Sequence, residues 1–136
     1  MSVWPDVAIV VALHETVMRN MGWSPAPLRD EGALASAVMR PQMAAHYEGA
    51  DIVRQAALLA IGISQAQAFV DGNKRTAFAT LKLFLNLNGH ELVVEPLAVA
   101  KALERVAEAD DRAKAGEDFE AWLRLVIAED GSTARR

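Results

Sequence analysis

The chain has 136 residues, 52% of them hydrophobic and 24% charged, which is enough apolar material for one domain with a buried core and excludes a disordered chain. Lys and Arg number 14 against 18 Asp and Glu, and the resulting charge of −4 argues against non-specific nucleic-acid binding. Cysteine is absent, which rules out disulfide frameworks, thiolate zinc sites and cysteine nucleophiles.

Alanine fills 26 positions while aromatics make up 6%, and alanine is the best helix former. A mostly helical protein is expected. Trp4-Pro5-Asp6 reads as a helix start. Val7, Val10, Val11, His14, Val17, Met18 and Met21 then recur at helical spacing, up to Gly22. Gly22 to Arg29 holds two prolines and reads as a loop, extended or hairpin-like. Asp30 caps a second helix, which Pro41 is expected to stop near Met39. Tyr47-Glu48-Gly49 reads as a turn, with His46 in the loop before the next helix.

Asp51 to Ala66 forms a third helix, almost uncharged after Arg54, as befits the buried centre of a domain. The uncharged run Ala56 to Val70 is shorter than the ~18–20 apolar residues of a membrane span, so no membrane partner is expected. Gln67 to Asp71 is a short loop. A fourth helix runs from near Gly72 to Asn88, with Ala77, Leu81, Phe84 and Leu85 on one face. Glu91 to Glu95 has room only for a small edge strand. Glu95-Pro96 opens a fifth helix to Ala109, Asp110 to Gly116 reads as a charged loop, and Glu117 to Ala128 as a sixth helix. Residues 1–130 form the expected domain and 131–136 a frayed tail. The first residues lack a basic stretch, so no signal peptide is expected and the protein reads as soluble and cytoplasmic.

The chemistry concentrates in Gln67-Ala68-Phe69-Val70-Asp71-Gly72-Asn73-Lys74-Arg75. Gly72 and Asn73 permit a tight turn before a helix whose first amides lack intrahelical partners. Those amides and the helix dipole make an anion cradle suited to phosphate. Lys74 and Arg75 add two cations, and Asp71 a carboxylate for Mg²⁺ carried by nucleotide phosphates. Phe69 would anchor the loop in the core. Taken alone, the residues fit an ordinary turn better, because short Gly-containing loops are weak signals.

The same segment resembles the signature of the Fic/Doc family, whose Doc-like branch reads His-x-Phe-x-(Asp/Asn)-(Gly/Ala)-Asn-Lys-Arg. Phe69, Asp71, Gly72, Asn73, Lys74 and Arg75 match, followed by Thr76-Ala77. Leu28 to Gly32, Arg40-Pro41-Gln42 and Phe84 to Gly89 extend the similarity, which covers Val7 to Val126. The resemblance implies a compact all-α fold of six to seven helices with a small flap or short hairpin. It also implies nucleotide-dependent transfer of a phosphate-containing group to a protein hydroxyl. Gly72, Asn73, Lys74 and Arg75 would then hold the phosphates of ATP or another nucleoside triphosphate, and Asp71 the Mg²⁺.

Other members of the family transfer AMP. Lys74 stands where their motif has its second glycine and Phe78 where it has its second arginine, both in favour of the Doc-like branch. That branch is a kinase of translation factors such as elongation factor Tu, and is neutralised by a small antitoxin whose helix lies in a groove. A Doc-like toxin of a toxin–antitoxin pair is therefore the leading expectation. The alternatives are an AMP transferase and a non-catalytic nucleotide-binding protein.

One departure counts most. The family's catalytic histidine is Gln67 here, and a neutral amide cannot act as a general base. Ser64 to Ala68 reads as coherent sequence, which favours a natural substitution. Of the three histidines, His14 fits a satisfied core residue and His90 a helix-end cap, which leaves His46 as the candidate substitute; Asp71 also has the chemistry of a catalytic base, but metal binding would occupy it. Trp23, in the loop corresponding to the family's flap, is expected mainly to anchor that loop on the core.

Overall fold

The computed structural model describes residues 2–129 and is all-α, with one two-stranded ribbon. Its elements are α1 (Val7–Asn20), α2 (Glu31–Glu48), α3 (Ile52–Ala66), α4 (Asn73–Leu87), β1 (His90–Leu92), α5 (Pro96–Glu108), α6 (Arg112–Leu125) and β2 (Ile127–Glu129). The expected tail, 131–136, lies outside the described residues. No helix among the described residues is long and apolar enough to cross a membrane.

Helix α3 is the hub, packed by α2, α4, α5 and α6. Ala56, Ala57, Leu59, Ala60, Ile61 and Ile63 are all buried, as the uncharged run predicts. A Cβ added to Gly62 would come within 3.3 Å of the Ala37 methyl, so small residues set how closely α2 and α3 approach. On α4, Ala77, Leu81, Phe84 and Leu85 form the expected buried face.

Aspartate caps open four helices. Asp6, Asp30, Asp51 and Asp111 accept from the backbone N–H of Ile9, Ala33, Arg54 and Lys114. Helix α4 has no side-chain cap.

Several expectations need correction. Helix α2 does not stop before Pro41 but runs to Glu48, where Gly49 in the left-handed region (φ 66°) ends it. Leu34, Ala37, Val38, Pro41 and Ala44 form one buried face, so the proline ring is itself a core residue. Burial along that face outweighs the one backbone bond that proline removes. His46 and Tyr47 consequently belong to the last turn of α2 rather than to a loop. Helix α6 begins at Arg112, inside the stretch expected as loop, because Asp111 caps it. It ends at Leu125, and Ile127–Glu129 becomes β2, antiparallel to β1 with His90 opposite Glu129. His90 is thus a strand residue, not a helix-end cap.

Candidate functional site

Helix α3 ends on Gln67, the only non-glycine residue with positive φ (50°) among the described residues. This left-handed C-cap turns the chain sharply out of the core. The Gln67 side chain folds back, Nε2 donating to the Ser64 carbonyl at 3.1 Å. The Gln67 carbonyl accepts from Arg29 Nη2 at 2.7 Å.

The next residue joins the motif to the loop after α1. The Ala68 carbonyl accepts from the backbone N–H of Arg29 at 2.6 Å and of Asp30 at 3.0 Å, and Leu28 forms an antiparallel bridge with Phe69. The loop therefore pairs with the motif instead of forming a hairpin of its own.

Phe69 is 1% exposed, its side chain packed into the core beneath the motif. Its backbone N–H donates to Asn73 Oδ1 at 3.1 Å, and its carbonyl accepts from Asn73 Nδ2 at 2.9 Å. The resemblance makes Asn73 a phosphate-holding residue. Its side chain is buried and fully engaged in this clamp, so only its backbone N–H is left for an anion.

His14 braces the same loop from α1. Its ring stacks on Phe69 with centroids 3.8 Å apart and planes 7° from parallel. Nε2 lies 2.9 Å from the Asp71 carbonyl, which can only accept, so Nε2 carries the proton. The core histidine read from the sequence is correct, but its partner is the motif itself. Helical spacing could place His14 inward; nothing in a linear sequence pairs it with residue 71.

Gly72 then turns the chain into α4 with φ 81°. A Cβ there would sit 2.8 Å from Met18 Sδ and 3.4 Å from the His14 ring, so conformation and space both require glycine. The first helical bond of α4 runs from Thr76 N–H to the Gly72 carbonyl. The amides of Asn73, Lys74 and Arg75 precede it and meet no side-chain cap.

Charge gathers around these amides. Lys74 Nζ lies 3.6 Å from Glu104 Oε2 on α5. Arg75 is exposed and has no carboxylate within ion-pair distance among the described residues. Asp71 is exposed too, one of its oxygens accepting the Gly72 N–H at 2.8 Å. An open pocket of about 450 Å³ is lined by Met21, Trp23, Gln67, Val70 and the Asp71–Arg75 turn. That size suits a small-molecule ligand.

The structure thus brings Gln67, Asp71, Gly72, Asn73, Lys74 and Arg75 to one pocket and puts Phe69 beneath it. None of the three histidines lines it. His46 lies on α2 edge-on to Tyr47, so it does not stand in for the missing base. No group of three or more His, Asp or Glu among the described residues could hold a metal by itself. A single exposed carboxylate at the lip of an anion pocket does fit Mg²⁺ that completes its shell with phosphate oxygens and water. Trp23 is 50% exposed at the pocket, not packed away as an anchor.

A family model described as Fic/DOC family matches residues 4–85. The chain is 40% identical over 72 residues to a protein named Toxin Doc from Mycolicibacterium smegmatis, an alignment covering 50% of this chain and 54% of that one. The chain therefore spans about half the length of that curated relative.

Proposed function

The chain belongs to the Fic/DOC family, and from that premise we propose that it is a Doc-like toxin built for nucleotide-dependent phosphoryl transfer to a protein hydroxyl. The observation that carries this reading is the pocket itself. Uncapped α4 amides, Lys74, Arg75 and the Asp71 carboxylate converge there on a space of ligand size.

The α4 amides and Arg75 would hold the phosphates of ATP or a similar nucleotide, by hydrogen bonds and charge together. Lys74 would join them by exchanging Glu104 for a phosphate oxygen. Asp71 would hold Mg²⁺ arriving with those phosphates; when bound, the ion neutralises phosphate charge. His14 and Asn73 keep the turn in shape beneath the pocket. In the transfer, the target oxygen forms a bond to the terminal phosphorus, the bond to the departing nucleoside diphosphate breaks, and the hydroxyl proton passes to solvent water in the open pocket. Gln67 does not accept that proton; with one amide N–H donated to Ser64, its Oε1 and second N–H are left to orient the hydroxyl. Phosphoryl transfer depends mainly on positioning and charge neutralisation, so slow turnover is expected rather than none.

A translation factor such as elongation factor Tu as target, an antitoxin helix as partner and a cytoplasmic site of action belong to the same proposal. A second reading, a nucleotide-binding protein without catalysis, is favoured by one observation: the Gln67 amide is already engaged with Ser64.

Gln67→His separates the two. Incubation with a translation factor and ATP labelled at either the α or the γ phosphate should show γ-label transfer, ~10²–10⁴-fold faster than with Gln67. Transfer of α-label instead would make it an AMP transferase. No gain with either label would leave the binding reading.

A further inference from the structure

Two large apolar side chains stand exposed at the pocket that collects the cations. Trp23 is 50% exposed and Val70 57%, and both line the pocket together with Met21. The other two tryptophans are engaged elsewhere: Trp4 Nε1 donates to Gln55 Oε1 at 3.0 Å, and Trp122 packs on Phe119 with ring centroids 5.8 Å apart.

The loop that carries Trp23 is held at both ends. The Trp23 backbone N–H donates to the Met18 carbonyl at 3.0 Å, and Arg29 and Asp30 are tied to Ala68. Pro25 and Pro27 restrict the backbone between. An indole held out on such a loop is arranged in advance for a flat partner, which lowers the ordering cost of binding.

We propose that Trp23, with Met21 and Val70, is the nucleobase platform of this pocket: the base stacks on the indole while the phosphates lie against the α4 amides and Arg75. The proposal rests on the nucleotide reading above and adds what that reading lacks, a contact for the base. The charge pattern selects this occupant. One wall is apolar and aromatic and the other cationic, in a space of about 450 Å³, and a nucleotide presents a flat base and an anionic tail in one small molecule.

The test compares Mg-ATP with Mg-tripolyphosphate, which has the charge but no base. Affinities for the whole protein, Trp23→Ala and Trp23→Phe are measured by calorimetry, with unfolding temperatures alongside. ATP should bind the unaltered protein about tenfold more tightly than tripolyphosphate, within the range of base–aromatic stacking. Trp23→Ala should erase that difference and leave tripolyphosphate affinity unchanged, while Trp23→Phe keeps most of it.

The proposal is overturned if Trp23→Ala leaves the ratio of the two affinities as it was. In that case, lost transfer to or capture of a translation factor by the same variant would make the loop a protein-docking element. Equal weakening of both ligands also overturns it, because the substitution would then act through the shape of the loop. Failure of the unaltered protein to bind either ligand is a separate result, which removes the nucleotide reading and this inference with it.

Discussion

His14 on α1 donates from Nε2 to the backbone carbonyl of Asp71, 2.9 Å away and 57 residues later in the chain. Through this bond and the Phe69 stack, α1 braces the Asp71–Gly72 turn at the start of α4, beside the pocket. His14→Phe keeps a ring for the stack and leaves the Asp71 carbonyl without its donor. His14→Gln keeps a donor at similar reach and loses the ring. The Phe variant should lose about 1–3 kcal/mol in urea unfolding, the usual cost of an unsatisfied buried polar group. If the bond positions the turn, phosphate affinity should fall in the Phe variant and partly recover in the Gln variant. Affinities that merely follow the two stabilities would reduce His14 to a packing residue.

Gly72 meets two separate demands, φ 81° and a would-be Cβ only 2.8 Å from Met18 Sδ. Gly72→Ala should therefore destabilise by about 1–3 kcal/mol, combining backbone strain with a clash. Met18→Ala makes room but leaves the backbone as it is. In a double-mutant cycle, Gly72→Ala should cost less in the Met18→Ala background, yet still more than zero. Strict additivity would show that Met18 does not limit the turn.

Where local chemistry and tertiary packing agree, the sequence was readable. The uncharged stretch before the motif gave α3 as the buried centre, and Asp-Gly-Asn gave the turn into α4. Pro41 misled because proline is a strong local signal, whereas α2 continues by virtue of a buried face that includes the proline itself. Ile127–Glu129 reads locally as the end of a helix, but it pairs as β2 with β1, the distant segment His90–Leu92. The same holds in the pocket. Its residue types are contiguous and could be read directly. That Asn73 faces inward, that Lys74 meets Glu104 and that Trp23 stays exposed are long-range facts that no local pattern carries.

On the nucleotide reading proposed above, Glu104 would compete with phosphate for Lys74, 3.6 Å away. Both side chains are about half exposed (43% for Lys74, 53% for Glu104), so the pair contributes little stability and breaks easily. Glu104→Gln should leave the unfolding temperature nearly unchanged and tighten ATP binding by about two- to fivefold at low salt. The gain should fade as salt screens the pair. Weaker binding in the variant would mean instead that Glu104 holds Lys74 in its working position.

The Asp51–Arg124 pair predicts how acid loosens the far end of the bundle. Arg124 Nη1 and Nη2 lie 2.9 and 3.2 Å from the two Asp51 oxygens. This bond is the largest cause holding the carboxyl below its ordinary value of 3.8; the Arg54 N–H and both arginine charges add to it, and partial burial opposes it. A lowered folded-state pKa stabilises above the unfolded value, and that contribution disappears as pH falls through the folded one. Asp51→Asn keeps an acceptor for the cap of α3 but removes the charge. The unfolding temperature of the variant should lie below that of the unaltered protein at pH 6, and the gap should close as pH falls below about 3.8. Since Asp51 is 57% exposed, high salt should narrow the gap at pH 6 as well. A gap that persists at pH 2 would assign the effect to the shape of the cap and not to the ion pair.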